Sequence, residues 1–118
     1  VNENALETKV ARELRIAGLF PSSFSEPRPG GFGLQSEGAK VAVVWVPSGE
    51  LTEVAFKRLG AGDAEHPSVL HMGEVKLAMG HAIVQILRSA GLNADMSADE
   101  FSPGIVEVTD LAPPGPVK

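Results

Sequence analysis

Residues 69–90 constrain this chain more than any other stretch. At about 100° per residue on a helix, Met72, Val75, Met79, Ala82, Ile83, Ile86 and Ala90 share one broad apolar face. Leu77 and Val84 fall on nearly the opposite side, with Gly73 and Gly80 beside them. A helix that must bury roughly 200° of its circumference needs either two layers of its own domain or a second subunit, because a monomeric surface helix hides only one stripe.

The remaining pattern supplies those layers. Leu6, Val10, Leu14 and Ala17 repeat at helical spacing over 4–17, with Asn4 as a candidate cap, Glu7 three residues on and Gly18 as the stop. Residues 20–31 carry three prolines and two terminal glycines and read as a long loop, which Phe20 and Phe24 are expected to pin onto the core. Residues 32–36 and 40–46 read as two strands joined by a turn at Glu37, Gly38 and Ala39. The second strand is a continuous apolar run, expected to lie centrally with both faces covered and Trp45 in the core. Residues 50–59 suit a helix capped by Ser48 and stopped at Gly60, although a hairpin into a further strand competes. Two short strands, 92–96 and 105–109, follow the long helix around an acidic turn. The expected architecture is α+β, a small sheet packed on a long helix in the order α-β-β-(α)-α-β-β. Residues 1–110 are expected to form a single domain, and 111–118 a proline-rich disordered tail.

The chain has 118 residues, 43% of them apolar, enough for one core and too few for two. It lacks cysteine, which removes disulfides, thiolate metal sites and a cysteine nucleophile. No apolar run reaches membrane-spanning length and the first residues lack the regions of a signal peptide, so the expectation is a soluble, cytoplasmic protein without a membrane partner. The Ala, Gly, Val and Pro usage fits a GC-rich bacterial or phage gene. A formal charge of −5 disfavours non-specific binding to nucleic acid. Arg12 and Arg15 on the first helix, with Lys57 and Arg58 closing the second, are the candidate contacts if a local basic edge exists; the plainer reading is a solvated helix face.

Catalytic signatures fail one by one. Gly33 to Lys40 resembles a phosphate loop only superficially, since it leads into a strand instead of a helix N-terminus and has Val41 where a magnesium-binding hydroxyl belongs. His71 and Glu74 lie one turn apart, but His81 lies about 10 Å further along the axis, too far to share their ion. A two-ligand site completed by His66, Asp63 or Glu65 stays open as the route to a small metal-dependent enzyme. The plainer reading makes Glu74, His81, Gln85 and Arg88 the long helix's polar strip. Asp95 with Asp99 or Glu100 is expected to lie in a short solvent-exposed loop, which does not suit paired-carboxylate catalysis. No catalytic residue, cofactor site or metal site is assigned.

Val43-Val44-Trp45-Val46-Pro47 with Leu51, then His66-Pro67, then residues 75–82 with Ile86, Leu87, Ala90 and Gly91, form a pattern that resembles small uncharacterised proteins of actinobacteria and their phages or mobile elements. The resemblance implies an α+β fold and no activity. The function expected is that of an accessory or regulatory protein acting through protein contacts, as a homodimer or with a protein partner. Gly73, Leu77, Gly80 and Val84 are the candidate interface.

Overall fold

The computed structural model describes residues 3–23, 29–98 and 104–109. The elements run α1 (Glu3–Ile16), β1 (Gly31–Glu37), β2 (Lys40–Val46), α2 (Gly49–Gly60), α3 (Pro67–Ser89), β3 (Asn93–Met96) and β4 (Val106–Thr109). The expected α+β order is the one found, with 50–59 helical. The proline-rich tail, Phe24 and the Asp99–Glu100 pair lie outside the described residues.

Each helix ends for the same reason. Gly18, Gly62 and Gly91 take positive φ just past α1, α2 and α3. Beyond each, a backbone N–H reaches back to the turn: Leu19 to Leu14 O at 2.9 Å, Asp63 to Arg58 O at 2.9 Å, and Leu92 to Leu87 O at 3.0 Å. These are Schellman closures, which satisfy otherwise orphaned carbonyls. The stop expected at Gly60 is therefore displaced to Gly62, because Gly60 stays helical and the left-handed position falls two residues later. At the other ends, Ser48 caps α2 by accepting from Leu51 N, and the His66 side chain caps α3 by accepting from Ser68 N, with Pro67 in the first turn. Asn4 lies within α1, which already includes Glu3, and not at the position before it.

The four strands form an antiparallel sheet in the order β1-β2-β4-β3. Gly38, with positive φ at the first position of a two-residue loop, closes the β1–β2 hairpin in the manner of a type II′ turn. Val41 and Val43 of β2 and Val106 and Val108 of β4 point to one face, where they meet Leu6, Val10 and Leu14 of α1 and Ile83, Val84 and Leu87 of α3. At about 1.5–3 kcal/mol for each fully buried large aliphatic side chain, this cluster is the main source of stability.

Among the described residues only that face of β2 is covered. Ala42 and Val44 are half-buried and Val46 is exposed, so the expectation of cover on both faces is corrected. An unbroken apolar run hides the strand's alternation, because small Ala42 and β-branched Val44 stay apolar while facing outward. Trp45 packs against the core and is partly exposed. Phe20 does not pin the loop with its ring, which is exposed; its carbonyl does so instead, accepting from Phe32 N at 3.0 Å.

Candidate interaction surface

A helix of 23 residues is about 34 Å long, whereas strands of four to seven residues span about 13–23 Å. α3 outruns the sheet it packs on. Its C-terminal half turns Gly80, Ile83, Val84 and Leu87 inward. By the same rotation, Val69, Met72, Gly73 and Lys76 continue that face upstream, with Leu77 at its margin. There α2 is the helix that packs beside it, and the two form an arm.

The candidate interface Gly73, Leu77, Gly80 and Val84 is divided by this geometry. Gly80 and Val84 are buried inside the domain. A Cβ on Gly80 would stand 2.8 Å from the carbonyl oxygen of Gly104 and 3.0 Å from Met96 Cε, so the glycine admits the loop before β4 against the helix. Gly73 has open space where a Cβ would go, and Leu77 is exposed. We expect Gly80→Ala to lose about 1–3 kcal/mol despite alanine's better helix propensity, since the opposing atom is backbone and cannot rotate away. An unchanged or raised urea midpoint would contradict this packing.

Among the described residues, the arm carries most of the exposed large hydrophobic side chains. Val54 is 47% exposed, Phe56 60%, Leu59 40%, Leu70 56% and Leu77 39%, and all five sit on α2 or the first half of α3. On α2 the successive side chains Val54, Ala55 and Phe56 point about 100° apart; Ala55 is buried, and its two neighbours leave an apolar group on each flank of the helix. Val54 forms a ridge between two shallow hollows. One of about 350 Å³ is lined by Ser48, Glu50, Leu51, Ser68 and His71; the other, of about 390 Å³, by Lys57, Arg58 and Ala61.

The candidate nucleic-acid contacts are distributed over separate elements. Arg12 and Arg15 are exposed on α1, which packs on α3, β1 and β2, and they border a hollow shared with Glu7. Lys57 and Arg58 are exposed at the end of α2, which packs on α3. Glu7 also accepts a hydrogen bond from Ser36 Oγ at 2.8 Å, which places a carboxylate beside the α1 arginines.

The remaining sequence candidates are dispersed. Among the described residues no three His, Asp or Glu side chains gather as a metal-binding group. His66 is occupied as a cap, 2.8 Å from Ser68 Oγ, while His71, Glu74 and His81 are exposed. Arg88 donates from Nε to Ala94 O at 2.8 Å and pairs with Asp95, tying α3 to β3. A hollow of about 370 Å³ lies on the open sheet face, where Gly33 and Ala42 provide no bulk between Glu37, Val44, Ile105 and Glu107. The Glu107 carboxylate there is 3.5 Å from Lys40 Nζ. The sequence alone does not reveal the sheet-face hollow, because its floor depends on which strand lies beside β2.

No protein-family model matches the sequence, and no curated protein or solved structure is significantly similar to it. Among the described residues, no helix is long and apolar enough to cross a membrane.

Proposed function

We propose that this is a small accessory or regulatory protein that works through protein contacts made by the α2–α3 arm, self-association first among them. One observation carries the reading: of the eight large hydrophobic side chains exposed among the described residues, five lie on this arm. Ala55 is the only side chain of α2 that is buried, and Met72 the only one in the first half of α3, so the arm leaves apolar surface that a partner would cover. The nucleic-acid alternative has less support, because its four basic side chains are split between α1 and α2 in a chain of net charge −5.

Light scattering across a dilution series tests this directly. The expected result is a mass rising from 12.3 kDa toward twice that value with concentration. The variant carrying Val54→Ser, Phe56→Ser and Leu70→Ser should keep its fold, since exposed substitutions usually change stability by about 0.5 kcal/mol or less, and should weaken association at least tenfold. A wild type that stays monomeric at all concentrations would refute self-association.

A further inference from the structure

We propose that two copies of this chain pair α2 against α2 in antiparallel fashion, about a two-fold axis through Val54. This rests on the self-association reading above and adds its geometry. The outer flank of α2 is electrically polarised along its length. Glu50 stands in the first turn, Lys57 and Arg58 in the last, and half-exposed Val54 lies midway. The hollow on one side of Val54 is therefore acidic at its edge and the hollow on the other side basic. Residues 50 and 58 are each four positions, about 6 Å, from Val54. A two-fold axis at Val54 consequently sets Glu50 of one copy opposite Arg58 of the other, with Lys57 adjoining, and does so twice. Val54 meets its own symmetry mate between the two ion pairs. Parallel pairing would instead place like charges together, which is the negative element that fixes orientation. A C2 contact requires a surface complementary to itself, and an acidic and a basic hollow on either side of an apolar ridge meet that requirement.

A 12-residue helix is about 18 Å long, so this contact falls short of the ~800 Å² per partner typical of tight complexes. The dimer is accordingly concentration-dependent and weakened by salt, because its charge pairs lie at an exposed rim.

The test uses two variants of the full chain, Glu50→Lys and the double substitution Lys57→Glu with Arg58→Glu. The first makes the charge pattern of this flank uniformly basic at the paired positions and the second uniformly acidic. Each by itself should associate at least tenfold more weakly than the wild type, and an equimolar mixture should form a one-to-one heterodimer of wild-type affinity by sedimentation equilibrium. Far-ultraviolet circular dichroism verifies that each retains its helices; where the double variant loses them, Arg58→Glu alone replaces it in the mixture. If the wild type dimerises and the variants associate as strongly, or the mixture gains nothing over its components, the antiparallel pairing is wrong while self-association stands. If the wild type is a strict monomer, both readings fall.

Discussion

Replacing Gly31 with alanine should destabilise the domain by about 2–6 kcal/mol, the combined range for an unfavourable backbone conformation and an overpacked contact. Gly31 opens β1 with φ near 150°, where L side chains are rare. Its added Cβ would stand 2.3 Å from the carbonyl oxygen of Phe20 and 2.7 Å from backbone atoms of Pro21 and Ser22. That segment cannot move aside without losing the bonds that hold it, Phe32 N to Phe20 O at 3.0 Å and Ser22 N to Phe32 O at 2.9 Å. Against a typical total of about 5–15 kcal/mol, the loss removes a large share of stability. Gly38→Ala is the control: it also has positive φ, but its Cβ would meet nothing within 4 Å, so only the conformational penalty of roughly 1–2 kcal/mol applies. Equal urea midpoints for the two variants would show that the contact at Gly31 is not as close as described.

Glutamate at two positions of α3 should separate core from arm. Ile83 is fully buried among Val43, Val106, Val108 and Leu14 in the core cluster, and Ile83→Glu places a carboxylate there without a partner. The expected loss is several kcal/mol, enough to leave the chain largely unfolded at neutral pH. Leu77→Glu, six residues earlier on the same helix, keeps its carboxylate in water and should change stability by less than about 1 kcal/mol. Circular dichroism with thermal melting distinguishes the outcomes. A folded Ile83→Glu variant, or an unfolded Leu77→Glu one, would mean that α3 sits on the sheet with a different rotation.

The contrast between these two leucine-like positions also marks how far the sequence could be read. The helices were legible because their signals are local: Ser48 before 50–59, and glycines after 4–17 and 69–90, bring their own hydrogen-bonding logic. The excess apolar surface of α3 was legible as well, but its division was not. Gly80 and Val84 meet the domain while Gly73 and Leu77 do not, and that outcome depends on how far the sheet extends under the helix, a length set by strands remote in sequence. The open face of β2 is hidden from the sequence for a related reason. Alternation identifies a one-sided strand only when its outward residues are polar, and Ala42 and Val44 are not. The sequence does not distinguish Gly60 from Gly62 as the stop of α2 because both suit a C-terminus, and the choice between them is made by which reaches positive φ.

The bridge between Pro21 and Phe32 bears on how the protein behaves when crowded. β1 is a rim of the sheet, and a bare rim is a template on which strands from other molecules can add without limit. Here the N–H and C=O of Phe32 are both taken by the 20–22 segment, and the residue laid against the rim is a proline, which has no N–H to offer a newcomer. The opposite rim, β3, is only four residues long, and Arg88 holds the carbonyl of Ala94. Strand addition is therefore discouraged at Phe32 on one rim and at Ala94 on the other, and concentrated solutions should resist conversion to fibrils, which thioflavin fluorescence over time would check.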